Sequence, residues 1–319
     1  MLRRFLSTAV RATLPKTSSV IGSRIAPTFS PLARFSTEIR RVTKDAPAEE
    51  NEEEDALPPL ETYDPDASCS MKNIKQDGST RRFYRHVSIT PEADGKYALR
   101  LAGNIAITPH GFHLILPNKA YAMMVALEFQ NQKTFIYPHT MPLTNLALTV
   151  IDRVPFERES MTQNCMGILK YDSTCYREDR EDAPGLARLQ EKHFDPLLKW
   201  MKTEFNAPLN HTYDLCAVEQ PPQTFTTVEA IIRSMDDYTF AAFEDLTLVG
   251  KSVVISLAFI KHRLSIDQAF RAIRLEENFQ VKGSGRVEGV YGTVIPEEYA
   301  KLKLAAARTG LNLLNYQLH

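Results

Sequence analysis

"YPHTMPLTNLALTVIDRV", residues 137–154, decides how the chain is read. Leu143, Leu146, Ala147, Val150, Ile151 and Val154 recur with the period of a helix, so the stretch buries an apolar stripe. Pro142 falls in the first turn, where its missing N–H removes no bond, and Thr140 stands where a capping hydroxyl is expected. Asn145, Thr149, Asp152 and Arg153 follow one another at i, i+4, i+7 and i+8. No nucleophile–base pair lies along this polar stripe, and it is expected to dock one part of the protein on another.

Toward the N-terminus the pattern changes period. "RRFYRHVSIT" and "KYALRLAG" are short alternating segments separated by the turn-rich "PEADGK". "NIAITPHGFHLILP" continues the alternation, so three or four antiparallel strands are expected across residues 82–116. "NKAYAMMVALEFQNQ" (118–132) then places Ala122, Val125, Ala126 and Phe129 on one helical face. Toward the C-terminus the signals are helical. "MTQNCMGILKYDS" is read as a further helix, and "LARLQEKHFDPLLKWMKTEF" as two segments meeting near Asp195-Pro196. Thr226-x-x-Glu229 and Ser265-x-x-Gln268 have the spacing of capping boxes, and "IDQAFRAIRLEENFQV" is read as one helix. A last helix is expected at 297–308. The fold class is therefore α+β: a small N-terminal antiparallel β-sheet domain with helices (80–160), then a mainly α-helical bundle domain (161–292), then a C-terminal helix and tail (293–319).

Residues 1–37 contain Arg3, Arg4, Arg11, Lys16, Arg24 and Arg34 and no acidic residue, and are rich in Ser and Thr. This is the composition of a mitochondrial presequence, which places the mature chain in the matrix. Residues 38–79 include the proline-bearing acidic run "KDAPAEENEEEDALPPLETYDPDAS" and are expected to be a disordered linker. Removing six positive charges takes the formal net charge from −1 to −7. An acidic chain is unsuited to nucleic acid, whose binding rests on clustered Lys and Arg. The longest apolar run, "LTLVGKSVVISLAFI", is interrupted by Gly250 and Lys251 and is shorter than the ~20 residues of a spanning helix, so no membrane insertion is expected.

Chemistry is sparse. Cys69, Cys165, Cys175 and Cys216 form no C-x-x-C pair and are read as free thiols. Phosphate-cradling motifs are absent, and "KGSGRVEG" lacks the flanking strand and helix of a dinucleotide loop. His110 and His113 straddle a turn without further ligands at metal spacing, so they are read as turn residues. Cys175, in "DSTCYRED", is the one candidate nucleophile; His193 lies downstream with nothing in the sequence to tie the two together, and a small buried thiol at a helix end is the favoured reading. No cofactor or metal is expected. The residues alone describe a non-enzymatic interaction protein, with a matrix thiol enzyme using Cys175 as the competing reading.

Several of these segments resemble, in order, one known family. "RRFYRHVSI", "ILPNKAYAMMVALEFQNQ" (with Phe129 where the family has tryptophan), "PHTMPLTNLALTVIDRV", "LKYDSTCYR", "HFDPLLKWM" and "LSIDQAFRAIRLEENFQVKGSGRVEG" carry the likeness, over about residues 80–292. The chain is similar to the mitochondrial and alphaproteobacterial chaperones that assemble the F(1) sector of ATP synthase, the type acting on the alpha subunit. The resemblance implies a monomer that covers the free alpha subunit and yields it to the beta subunit. It also implies Glu288 as an acidic partner contact, with Glu276 and Glu277 on the preceding helix. The family's tryptophan–glycine pair before that acidic residue is Ser284-Gly285 in this chain. A stable accessory subunit of a respiratory complex is a third reading of the same resemblance.

Overall fold

The structure, a computed structural model, describes residues 79–214, 218–285 and 294–315. The expected presequence, the acidic linker up to residue 78, Cys69, Cys216 and Glu288 lie outside the described residues. No helix among the described residues is long and apolar enough to cross a membrane.

A two-residue strand, β1 (Thr80–Arg81), precedes the hairpin that the alternation predicts. β2 (Val87–Pro91) and β3 (Tyr97–Leu101) pair antiparallel with Val87 opposite Leu101 and Ile89 opposite Leu99. That register puts their aliphatic side chains on one face. Ala102 and Gly103, both at positive φ, make the two-residue turn into β4 (Asn104–Ile105), the backbone hand that tight hairpins prefer. β5 (Ile115–Leu116) pairs with β3 and completes the four expected strands. α1 (Lys119–Gln130) starts at Asn118, whose side chain accepts from the Tyr121 N–H at 2.9 Å. β6 (Phe135–Ile136) pairs with β1 and is too short to leave a pattern in the sequence.

The decisive stretch then forms α2 (Pro142–Leu148), five π-helical residues (Thr149–Arg153) and α3 (Val154–Lys170). Pro142 occupies the first turn as expected, but Thr140 does not cap the helix. Its hydroxyl donates to the Tyr137 carbonyl at 2.8 Å inside a preceding 3₁₀ turn. The cap comes from another element. The Glu128 carboxylate on α1 accepts from the N–H groups of Leu143 (2.9 Å) and Thr144 (2.7 Å) and from the Thr144 hydroxyl (2.7 Å). A carboxylate there also meets the positive end of the helix dipole. α3 is continuous through positions 160 and 161, where the sequence reading divides the chain.

α4 (Pro184–Phe205) is one helix and not two, with Pro196 inside it. Leu186, Phe194, Leu197, Trp200 and Met201 are buried on both sides of the proline, and this continuous apolar face outweighs one lost backbone bond. α5 (Pro222–Arg233) starts with Pro222 in its first turn, so Thr226 and Glu229 lie inside it and form no capping box. α6 (Asp237–Gly250) is capped by Asp236, and α7 (Val253–Ile260) by Ser252. The Ser265–Gln268 capping box opens α8 (Ile266–Ile273) as read. The single helix expected beyond it bends at Arg274 and resumes as α9 (Leu275–Ser284). That corner lets both Ala272 and Leu275 reach the core. α10 (Val294–Leu314) is longer at both ends than the expected 297–308.

All described residues belong to one compact unit with two hydrophobic clusters. The sheet cluster gathers Leu99, Leu101, Leu116, Tyr121 and Val125 under β3 and α1. The helical cluster surrounds α7, every residue of which is buried, and draws on α3 to α6 and α8. α2 and its continuation serve both, with Leu143 and Ala147 in the first and Leu146 and Val150 in the second. α10 does the same, through Leu304 and Leu311 in the second and Leu314 against both. Their close approach requires Gly310, where an added Cβ would lie 3.0 Å from a methyl of Leu146.

Burying α7 leaves its first amides without water, and Asp172 answers them. This fully buried carboxyl accepts from the Val254 N–H (3.1 Å), the Ser252 hydroxyl (2.7 Å), and the N–H (3.0 Å) and hydroxyl (2.7 Å) of Thr174. Two consequences are measurable by urea unfolding. Glu128→Ala is expected to lower stability by about 1–3 kcal/mol, because two amides lose their acceptor, while Thr140→Ala changes it by less than about 0.5 kcal/mol. Equal effects would return the cap to Thr140. Asp172→Ala strands several buried donors and is expected to cost more than about 3 kcal/mol, with Asp172→Asn, which keeps one acceptor, losing less.

Candidate functional site

The described surface carries one cluster of exposed aromatic and aliphatic side chains fixed by buried polar contacts. Thr108 closes the turn before β5, its N–H donating to the Phe112 carbonyl (2.7 Å) and its hydroxyl accepting from the Phe112 N–H (3.1 Å). Gly111, at φ +88°, allows the chain to reverse there. The same hydroxyl donates to Asp152 Oδ1 at 2.6 Å, and the His110 imidazole lies 3.6 Å from Oδ2. Asp152 is buried on the π-helical segment, whose widened turn ends with the Val154 N–H bonded to the Thr149 carbonyl. The polar stripe read from the sequence thus joins the sheet turn to the helices through Asp152, and Arg153 reaches Glu157 (3.1 Å) and the buried Glu244 (3.9 Å).

This clamp presents apolar rings to solvent. Phe112 on the turn stacks on Phe156 of α3 with centroids 5.8 Å apart and planes 20° from parallel. Phe112 is 42% exposed, Phe156 69% and the nearby Ile107 48%. Behind Ile107 a cavity of about 170 Å³ opens between β4 and α2, lined by Phe83, Ile105, Phe129 and Leu148. Large apolar side chains held in water on a rigid frame are the mark of a surface made to be covered. Sequence reading missed these rings. The usable signal was Phe112 and Phe156 placed where periodicity leaves no inward face for them.

The carboxylates singled out by sequence sit elsewhere. Glu276 and Glu277 are exposed in the first turn of α9 and line a groove of about 450 Å³ floored by Gly250, Ile273 and Ala300. Glu276 is not freely solvated. Its Oε1 accepts from Gln190 Nε2 at 2.9 Å, and the buried Gln190 is itself oriented by accepting from the Glu178 N–H at 2.8 Å. The structure therefore brings Glu276 and Glu277 to one helix start, and leaves Glu288 outside what is described.

The candidate nucleophile is buried. Burial, reinforced by the neighbouring Asp172 carboxyl, pushes the Cys175 thiol up to about 12, so it stays protonated at neutral pH. Its side-chain neighbour is the Thr174 hydroxyl, 4.0 Å away, and no hydrogen bond joins it to His193. Cys165 is likewise buried and pushed up to about 12. Among the described residues no three His, Cys, Asp or Glu side chains converge to hold a metal.

Comparison with known proteins points to one family. The sequence pattern of the family described as ATP12 chaperone protein matches residues 81–202. Protein atp12, mitochondrial, of Schizosaccharomyces pombe is 24% identical over 239 residues, 72% of this chain and 81% of that one. The Atu1473 protein of Agrobacterium tumefaciens superposes with a TM-score of 0.66 over 75% of this chain and 87% of its own, and at 23% identity it speaks for the fold. Atp12 of Paracoccus denitrificans superposes with a TM-score of 0.62 at 31% identity, over 74% of this chain and 97% of its own. Identity at that level, spread across nearly the whole of the Paracoccus protein on a shared fold, places this chain in the ATP12 chaperone family.

Proposed function

We propose that the chain is a non-enzymatic assembly chaperone that binds the free alpha subunit of the F(1) sector of mitochondrial ATP synthase in the matrix. Membership of the ATP12 chaperone family, a relative named as mitochondrial and the basic, acid-free residues 1–37 support this reading. The observation that carries it is the Phe112–Phe156 pair, apolar rings stacked in water and fixed by a buried carboxylate. A free subunit exposes apolar surface that its neighbour in the ring would cover, and such surface aggregates. Covering it requires complementary apolar area and no chemistry. Without an ATP-binding motif in the sequence, release follows from competition: the beta subunit buries more of the same surface and displaces the chaperone by mass action. Glu276, Glu277 and Glu288 are the acidic residues that the proposal assigns to contacts with the same partner.

The tagged chain, drawn from matrix extract, is expected to bring down alpha subunit without beta. Equal recovery of alpha and beta, or stoichiometric presence in mature ATP synthase, would overturn the proposal in favour of an accessory subunit. Phe112→Ser with Phe156→Ser should weaken capture of alpha by at least about tenfold, the usual weight of an aromatic anchor, while leaving the melting temperature nearly unchanged. Full rescue of a knockout by Cys175→Ala is expected. A folded Cys175→Ala chain without activity would revive the thiol enzyme.

A further inference from the structure

A third concavity, about 550 Å³, lies between α4 and the segment that follows it, and differs in chemistry from the aromatic pair. Leu198 and Leu209 give it apolar walls, and Arg177, Arg180, Lys199 and Lys202 give it positive charge. Three acids share it: Glu178, Glu191 and Asp195. Arg180 is spoken for, because Glu191 accepts from its Nε and Nη2 at 2.7 Å each. Lys199 and Lys202, three residues apart on one face of α4, form no ion pair among the described residues.

Arg177 is the unusual member. Its side chain is only 4% exposed and its guanidinium lies over the Phe194 ring, 5.0 Å from the centroid. Nη2 donates to Asp195 Oδ1 at 3.0 Å, while Nε and Nη1, both buried, have no hydrogen-bond partner among the described residues. A guanidinium has five donors in a planar fork, and burying it with most of them unmatched is costly. Desolvation accordingly pulls the Arg177 pKa below the usual arginine value. Asp195, by contrast, is 59% exposed and touches the fork at one nitrogen. It neutralises Arg177 without filling its donors, and an exposed side chain held by one bond leaves readily.

We propose that this groove binds an acidic peptide segment of a partner protein, one carboxylate of which displaces Asp195 and pairs with the Arg177 fork through two bonds. Lys199 and Lys202 take flanking acids along the helix. The volume exceeds what a lone carboxylate fills, and the leucine walls together with the exposed Tyr213 ring offer apolar contact for neighbouring side chains, which favours a peptide over a small anion. A bidentate arginine–carboxylate pair in a desolvated site is short, directional and strong. The site stands apart from the aromatic surface and does not depend on which subunit that surface covers.

The test is fluorescence anisotropy of the full chain with a labelled octapeptide alternating Glu and Leu, against the same peptide with Gln in place of Glu. Binding of the Glu peptide, at least tenfold weaker for the Gln peptide and weakening with added salt, is expected. Asp195→Asn removes the competing carboxylate and should tighten binding several-fold, a gain that a purely structural Arg177–Asp195 pair would not produce. Lys199→Gln with Lys202→Gln should weaken binding three- to tenfold without moving the melting temperature, and Arg177→Gln should abolish it. If Arg177→Gln does not fold, the Asp195 and lysine variants decide. Equal affinity for both peptides, or no change in both Asp195→Asn and the double lysine variant, overturns the proposal.

Discussion

Everything in this fold depends on one helix having two inner faces. α2 and its π-helical continuation give Leu143 and Ala147 to the sheet cluster and Leu146 and Val150 to the helical cluster, so the two cores meet along it. A helix buried on both sides cannot open its first turn to water, and its orphan amides need a protein acceptor. Glu128 meets that need from α1, across a sequence gap of 15 residues to Leu143. The same contact orients α1, which floors the sheet, relative to α2. A local capping hydroxyl would have satisfied the amides equally well but would have tied nothing together.

The same logic recurs at two further places. Asp172, two residues beyond α3, satisfies the buried start of α7, and Asp152 holds the sheet turn from inside the π-helical widening. In each case a carboxyl is taken out of water, which is unfavourable; Asp172 is compensated by four hydrogen bonds from two segments, and Asp152 by a short bond from Thr108 and a longer one from the His110 N–H. Burial pushes the Asp172 carboxyl up, whereas its four donors hold it down. Three such carboxyls, each linking segments distant in sequence, make a frame whose parts cannot shift independently. Rigidity of this kind lets Phe112 and Phe156 remain exposed without collapsing onto the core.

Elements were legible where period or local chemistry determines them. The β2–β3 hairpin, the Asn118-started α1 and the Ser265–Gln268 box follow from alternation and short-range hydrogen bonding that sequence spacing records. The misreadings share a cause. Thr140 and Pro196 each carry a correct local propensity that tertiary structure overrides, since Glu128 caps in place of Thr140 and the continuous buried face of α4 carries the helix past Pro196, whereas Thr226 loses to a nearer start signal, Pro222. The bend at Arg274 is the converse, a good helical pattern broken so that two apolar segments reach one core. For the site, sequence singled out acidic residues and the polar stripe. It gave no access to the Phe112–Phe156 stack or the Arg177 groove, because both join residues from separate elements.

A chaperone of this design faces a constraint that an enzyme does not. Its exposed apolar surface must be attractive enough to capture a partner and yet small enough to remain soluble and to yield. Two stacked rings and one isoleucine over a shallow cavity provide that middle ground: a few anchors carry most of an interface's affinity, and few anchors mean a short residence time. Charge contributes differently. In the proposed interfaces, acids such as Glu276, held by Gln190, and cations such as Lys199 and Lys202 would guide orientation and reject mismatched partners more than add binding strength. Under the proposed function, an apolar contact of modest size with charged contacts at a distance would be selective at encounter and weak enough to be displaced, as handing over an oligomer subunit requires.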